Sequence, residues 1–371
     1  MTDEKLHQIA LTLVPGIGDI LIRQLMAYCG SAQDVFRSTP AKLQKIPGIG
    51  PATSHAIRHT DVRQEAEKTA QKLGRMQASA LFYTDDTYPK RLKDLYDAPV
   101  MLYAQGVADH NARRTLALVG TRQATDYGRR VTEDIVQGMK PYGVSIISGL
   151  AYGIDIIAHR ASLAAQLPTI GVMASGLDVI YPSVHQKTAQ EMVLQGGLLT
   201  ENRPGVKPDA RLFPARNRII AGLSDMVVVV ESAAKSGSLI TAEYANNYHR
   251  EVFAVPGQLN QTFSLGCNKL IRENKAQIYT SPDDLITAMN WDQPDRTDKP
   301  GSANTPPITH QFTEEESQLV ALLRQHSDLH IDDLSWKSRI PMGRLASILL
   351  TLEFQGVIRS LPGKKYQVVY V

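Results

Sequence analysis

Between residues 80 and 290 the chain alternates short apolar runs with amphipathic stretches. The runs at 115–120, 144–149, 168–173, 197–201, 226–231 and 251–256 are rich in Val, Ile and Leu, and each has the length of a strand. Helical stretches separate several of them. In one, Val131, Ile135 and Met139 recur every four residues and mark a single buried helix face. Alternation of this kind predicts a parallel sheet with helices on both sides. The run MVVVV at 226–230 is apolar without alternation, as a central strand buried on both faces should be. The fold class that follows is α/β, a Rossmann-like, mostly parallel sheet spanning residues 76–290.

The pattern changes at both ends. Residues 1–75 read as short helices separated by Pro-Gly turns, and the tetrapeptide PGIG occurs twice, at 15–18 and 47–50. Each copy lies between helical segments, which predicts an all-α unit of two helix-hairpin-helix/SAM-like repeats. Glycines in such turns let the backbone approach a partner closely and leave N–H groups free for a phosphate. The same pattern also suits plain αα-hairpins whose glycines only make turns. Residues 291–310 carry four prolines and few large apolar side chains, the composition of an extended linker. Over 311–371 helical periodicity resumes, opening with Thr313 and Glu316 in capping-box spacing. Two helical segments and a terminal β-hairpin then outline a winged helix. Seven Lys/Arg balance seven Asp/Glu there, and the would-be reading helix holds Glu353 as well as Arg344. A DNA-reading helix needs a basic face, so this end points to protein contact or self-association.

Composition narrows the function classes. At 371 residues the chain has room for two or three domains. Its formal net charge is +3, so any binding of nucleic acid must come from local placement of cations. The two cysteines, Cys29 and Cys267, lack metal spacing and a disulfide framework, which fits a reducing compartment. The first residues contain two acids and no long apolar run, unlike a signal peptide. No apolar segment approaches a membrane span. A cytoplasmic protein without a membrane partner is expected.

The candidate chemistry lies where strands end, because ligands of parallel α/β sheets sit at the carboxyl ends of strands. The strand at 226–231 finishes just before Lys235-Ser236-Gly237-Ser238, with a helix expected near Leu239. Free N–H groups at that helix start, with Lys235, make an anion site. Arg216, Asn217 and Arg218 are expected to arrive from the loop before this strand. Phe213 beside them suits stacking of a base in a single-stranded nucleic acid, or is an ordinary core residue. The first strand ends in Gly120-Thr121-Arg122, with a helix beginning near Tyr127. Gly120 can bring backbone close to a ligand and Arg122 can fork onto a phosphate; alternatively Arg122 is a lone surface arginine. Gly149 and Gly153 follow the second strand and again suggest close approach. Asp155 and His159 share a helix face, as an acid/base or metal pair or, on the safer reading, as a helix-start cap. Glu201 and Glu231 each close a strand, and structural hydrogen bonding is the safer assumption for both. The dinucleotide fingerprint GxGxxG is absent, which counts against a nicotinamide or flavin cofactor. No metal, cofactor or catalytic residue is expected.

These motifs, in this order, closely resemble the DprA/Smf family of DNA-processing proteins. The matching stretches are LALVGTR at 116–122, SGLAYGID at 148–155 with His159, GLDVIYP at 176–182, FPARNRIIAGLS at 213–224, VVVESAAKSGSLITAEYA at 228–245, EVFAVPG at 251–257 and SLGCNKLIRE at 264–273. The resemblance implies a non-enzymatic, sequence-independent binder of single-stranded DNA. Such a protein protects incoming DNA and loads the RecA recombinase during natural transformation, and it forms a homodimer. It implies that Gly120, Thr121 and Arg122 cradle one phosphate and that Lys235, Ser236, Gly237 and Ser238 hold another. Phe213, Arg216, Asn217 and Arg218 would line the same basic pocket, with Gly149 close by. The chain departs from the family at Tyr152, where arginine is frequent, and at His185, where asparagine is frequent. Two rival readings remain. A nucleotide-binding, phosphoribohydrolase-like enzyme would use Glu243 or Glu231. A protein-bridging adaptor would dock through both terminal regions.

Overall fold

A computed structural model describes residues 2–291, 312–325, 329–354, 357–361 and 365–368. Nearly all of the expected linker at 291–310 lies outside them. The chain divides into two compact units, residues 1–294 and residues 295–371.

The first unit opens with six helices: α1 (Asp3–Leu13), α2 (Asp19–Cys29), α3 (Ala32–Arg37), α4 (Pro40–Leu43), α5 (Pro51–His59) and α6 (Arg63–Arg75). One PGIG turn joins α1 to α2 and the other joins α4 to α5, as the repeat predicts. Two strands that the sequence pattern did not reveal follow: β1 (Ala78–Phe82) and, after the short helix α7 (Lys90–Lys93), β2 (Met101–Gly106). Then strand and helix alternate: β3 (Thr115–Val119), α8 (Asp126–Met139), β4 (Ser145–Ser148), α9 (Ile154–Ala165), β5 (Thr169–Val172), α10 (Gln186–Gln195), β6 (Gly197–Thr200), α11 (Leu212–Leu223), β7 (Met226–Val229), α12 (Gly237–Asn247), β8 (Glu251–Ala254), α13 (Leu265–Arg272), β9 (Gln277–Ile278) and α14 (Pro282–Ala288). Each expected strand is present, ending one or two residues before its apolar run does. Those last residues leave the ladder to begin the loops that build the site.

The sheet has nine strands in the order β1-β2-β6-β5-β4-β3-β7-β8-β9. From β6 to β9 all neighbours are parallel, while β2 pairs antiparallel with both β6 and β1. Successive side chains of a strand point to opposite faces, and the MVVVV run divides accordingly. Met226, Val228 and Val230 join Leu116, Leu118 and Ile146 under Ile135, Met139, Ile154 and Ala158 of α8 and α9. Val227 and Val229 join Ala117, Val119 and Ile147 on the opposite face, under Ile219, Ile220 and Leu223 of α11 and Ala242 of α12.

A third apolar cluster runs from Ile9, Leu11, Ile22 and Leu25 of the helical region into Phe82, Met101 and Tyr103 of β1 and β2. The helices and the antiparallel edge of the sheet therefore share one core. The first hairpin is docked on that edge. Asp19 Oδ1 accepts the Val100 N–H at 3.2 Å, Arg23 donates to the Ala98 carbonyl at 3.3 Å, and its guanidinium lies 4.5 Å from the Tyr83 ring centre.

The second unit comprises α15 (Glu314–Gln325), β10 (Leu329–His330), α16 (Ile331–Ser338), α17 (Met342–Phe354), β11 (Ile358–Leu361) and β12 (Lys365–Val368). Its strands form a small antiparallel sheet in the order β10-β12-β11 over a core that includes Leu319, Leu334, Leu345 and Leu349. This is a winged helix. The expected capping box is present, with Glu316 accepting from the Thr313 N–H at 2.8 Å. Arg344 pairs with Glu315 at 2.9 Å, and Glu353 accepts from Ser360, so both polar residues singled out on α17 have partners within the unit.

Candidate nucleic-acid interface

Strand β3 is the point where the topology turns. The chain builds β4, β5 and β6 outward on one side of it, then crosses back to lay β7 on the other. The crevice at the carboxyl ends of such a pair is where open α/β sheets take ligands. Here the Thr121 N–H donates to the Glu231 carbonyl at 2.7 Å and ties the two strand ends together. A Cβ on Gly120 would collide with Ile154 and approach the Glu231 carbonyl to 3.0 Å, so glycine is required by contact. The Glu231 carboxylate accepts from the Thr125 N–H at 2.9 Å and the Thr125 hydroxyl at 2.5 Å, and so fixes the start of α8. That is the structural role expected of it.

Beyond this knot the backbone releases Arg122 to solvent, and its guanidinium lies 5.2 Å from the centre of the Phe213 ring. Both residues line a pocket of about 80 Å³ at the carboxyl ends of β3, β4 and β5. Tyr152, Tyr181 and Pro208 also line it, together with Gly149, Ser175 and the buried Arg216. The Tyr181 and Phe213 ring centres are 5.8 Å apart at a tilt of 58°. Phe213 is half-buried, not a core residue, and three aromatic rings therefore share one small pocket with a solvent-exposed arginine.

The Arg-Asn-Arg motif requires a correction. Residues 216–218 lie within α11, not on a loop. Ile219, Ile220 and Leu223 have helical spacing against the sheet, and Pro214 stands in the first turn, where the missing N–H costs nothing. The three side chains then diverge. Arg216, 5% exposed, donates through one guanidinium nitrogen to the Gly149 and Val172 carbonyls, both at 2.5 Å. It spans the ends of β4 and β5 from beneath, and any side chain on Gly149 would strike it. Burial pulls its pKa down to about 10, against the opposing effect of the Asp155 charge. Asn217 accepts from Arg216 Nε at 3.2 Å and donates to the Gly237 carbonyl at 3.1 Å, linking the pocket floor to the start of α12. Arg218 instead donates to the Asp97 carbonyl at 2.6 Å and is ion-paired with Glu201. Arg218 is therefore committed elsewhere, and it does not line the pocket.

At the end of β7 the chain turns through Lys235 into α12, which starts at Gly237 with Ser236 as N-cap. The Ser236 hydroxyl accepts the Ser238 N–H at 3.3 Å, and the Ser238 hydroxyl donates to Ser232 at 3.0 Å. These serines shape the turn. Lys235 and Gly237 are exposed, and Lys235 forms no ion pair among the described residues.

Asp155 and His159 are both buried in α9. Asp155 accepts weakly from the Ala151 N–H at 3.4 Å, and desolvation raises its pKa while the Arg216 charge opposes this. The Thr169 hydroxyl donates to the Ile146 carbonyl, so it accepts from His159 Nδ1–H at 2.7 Å, which leaves Nε2 without a proton or a partner among the described residues. Burial pushes His159 down to about 3. Neither residue lines the pocket. Among the described residues no group of three or more His, Cys, Asp and Glu could hold a metal, and no helix is long and apolar enough to cross a membrane. Burial raises the Cys267 thiol to about 12.

A family model described as DNA recombination-mediator protein A matches residues 79–290. The chain belongs to the DprA/Smf family. A second model, the DprA winged helix domain, matches residues 302–364. Protein Smf of Synechocystis is 32% identical over 98% of this chain and 98% of its own length. The DNA processing protein DprA of Bacillus subtilis is 38% identical over 67% of this chain and 86% of that protein. Among solved structures, DprA from Streptococcus pneumoniae matches with a TM-score of 0.66 and 33% identity, covering 77% of this chain and 98% of the other. DNA processing protein A from Helicobacter pylori, described for its single-stranded DNA binding mode, matches with a TM-score of 0.53 and 32% identity over 58% and 96%. The chain is thus a DNA-processing protein of this family.

Sequence reasoning passed over two of the pocket's three aromatic residues. Tyr181 figured only within the GLDVIYP stretch and Tyr152 only as a departure from the family pattern. The available signal was position, since each follows the carboxyl end of a strand.

Proposed function

We propose that this protein binds single-stranded DNA without regard to sequence, across the carboxyl ends of β3, β4 and β5 and the start of α12. Arg122 and Lys235 contact phosphates, the exposed Gly237 backbone adds a donor, and Phe213 stacks on a base. The carrying observation is Arg122, exposed at the mouth of an aromatic pocket and lying over Phe213. Stacking on aromatic rings beside cations that track the backbone suits a single strand and is indifferent to base identity. Glu231, one of the two acids a hydrolase of this fold would use, is engaged in holding the Thr125 N–H and hydroxyl, which favours binding over hydrolysis. In the cell the protein protects incoming DNA in the cytoplasm and, as a homodimer, loads RecA during transformation. The DNA-processing names of its relatives, and the single-stranded DNA binding named for one of them, support the DNA-binding part of this reading.

The test is fluorescence anisotropy with a labelled oligo-dT strand, a matched duplex and the Lys235→Ala variant. Binding should favour the single strand and weaken in the variant. Two unpaired cations predict a log–log salt slope near −1.4, from about −0.7 per phosphate neutralised. Affinity that is flat with salt, or equal for both DNAs, would sink the site. Release of free base from a nucleotide would move the protein to the hydrolase class. Faster RecA assembly on single-stranded DNA and a dimer mass in sedimentation are the outcomes expected for the two partners.

A further inference from the structure

The loop between β4 and α9 runs from residue 149 to residue 153, and four of its five residues are held in place. The Gly149 carbonyl accepts from Arg216. Leu150 is fully buried in a left-handed conformation at φ +57°, and its carbonyl accepts from His185 Nδ1–H at 2.8 Å. The Ala151 N–H donates to Asp155, and its carbonyl accepts from the Ile156 N–H at 3.2 Å. Gly153 has φ +75° and lies so close to the Thr121 carbonyl that a Cβ would overlap it. Tyr152 is the exception. The residue is 48% exposed at the pocket rim, and its hydroxyl forms no hydrogen bond among the described residues. Its ring rests on the His185 ring, with centres 5.1 Å apart and an interplanar angle of 69°. His185 is itself buried and also fixes the Leu150 carbonyl.

A tyrosine kept for stability buries its ring or bonds its hydroxyl, and Tyr152 does neither fully. It faces the same small pocket as Arg122, Phe213 and Tyr181. We infer that Tyr152 is a stacking platform for a nucleobase of the bound single strand, and that His185 is its positioning residue. This rests on the single-strand reading above and adds a ring that supplies base contact and no charge. A base stacks on the exposed part of the ring while Arg122 takes an adjoining phosphate.

The test compares wild type, Tyr152→Phe, Tyr152→Ala and Arg122→Ala on oligo-dT across a salt series, with an abasic strand of the same length as a second ligand. Tyr152→Phe should bind like wild type. Tyr152→Ala should lose roughly 5- to 150-fold on oligo-dT, the alanine-substitution range for one stacked base, with the salt slope unchanged. Arg122→Ala should flatten the slope by about 0.7. On the abasic strand wild type and Tyr152→Ala should bind alike. His185→Ala should weaken oligo-dT binding in the wild type and have no further effect in the Tyr152→Ala background. Wild-type affinity of Tyr152→Ala for oligo-dT, or a Tyr152→Ala loss that is just as large on the abasic strand, overturns the inference and leaves the single-strand reading standing. Failure of the wild type to bind oligo-dT overturns that reading instead. Should Tyr152→Ala not fold, wild-type binding that is equal for oligo-dT and the abasic strand still refutes stacking.

Discussion

Arg216 sits inside the motif that resembles a phosphate-binding run, yet the structure uses it as a strut, and the two roles differ in measurable ways. Replacing it with Met keeps much of the volume and removes the charge. The Gly149 and Val172 carbonyls lose their donor, and the buried Asp155 loses the cation that opposes its desolvation. Removing one partner from a buried, hydrogen-bonded charge arrangement costs about 3–5 kcal/mol. For a unit of this size that corresponds to a melting shift on the order of 10 °C. Arg216→Lys retains a charge but lacks the planar fork, so it should fall in between. Asp155→Asn in the Arg216→Met background should recover part of the loss, because a neutral amide needs no counter-charge. Thermal unfolding followed by circular dichroism gives the stabilities, and oligo-dT anisotropy against salt gives the slopes. A strut changes stability strongly and leaves the salt slope near that of wild type in whatever protein remains folded. If Arg216→Met melts within about 2 °C of wild type, a shift of under 1 kcal/mol, while its slope drops by about 0.7, Arg216 is a phosphate ligand and the reasoning is wrong.

Arg122→Ala and Lys235→Ala should leave stability within about 0.5 kcal/mol, because both are exposed surface residues, and each should flatten the salt slope by about 0.7; an unfolding shift with an unchanged slope in either would exclude it from phosphate contact. His159 is held neutral down to about pH 3, whereas in the unfolded chain it protonates near 6.5. Its folded pKa is depressed, so the unfolded state binds the extra proton between these values, and stability falls as pH drops below 6.5 by up to about 1.4 kcal/mol per unit. His159→Asn keeps a donor for Thr169 and cannot titrate, so urea unfolding at pH 7 and pH 5 should show the wild type losing about 2 kcal/mol more than the variant; parallel pH curves would contradict this. Cys267 is fully buried, with its thiol pushed up to about 12 and its Sγ 3.5 Å from the Val229 carbonyl, while Cys29 is half-buried. Titration with a thiol reagent should therefore show one faster thiol and one that reacts only through unfolding, and equal rates would mean that the α13 region opens freely.

The parallel strands were legible because burial on both faces leaves contiguous apolar runs, and β7 is the clearest instance. Strands β1 and β2 left weaker marks. Ala78–Phe82 follows α6 with no Gly or Pro between them, and β2 ends in Gln105 and Gly106 where it nears the surface. Gly120, Arg122 and Lys235 were readable as strand-end residues because a short loop after a parallel strand has few places to go. Helix α11 was not readable, since Phe-Pro followed by a basic cluster looks like a loop until the sheet supplies a surface for Ile219, Ile220 and Leu223.

What the sequence could not sort was its own charge. Three arginines and a lysine, Arg122, Arg216, Arg218 and Lys235, fall in the motifs at the strand ends, and as letters they are equivalent. Burial separates them. Arg216 reaches two carbonyls beneath the loops, and Arg218 is taken by Glu201 and Asp97. Arg122 and Lys235 remain in solvent, where a guanidinium or an ammonium can release counterions on meeting a phosphate. A cation that already satisfies a carboxylate or carbonyls must break those bonds to do the same, and so contributes little. A chain with a formal charge of only +3 can thus present cations locally, because Arg216 braces the pocket from within while Arg122 stands exposed at its mouth.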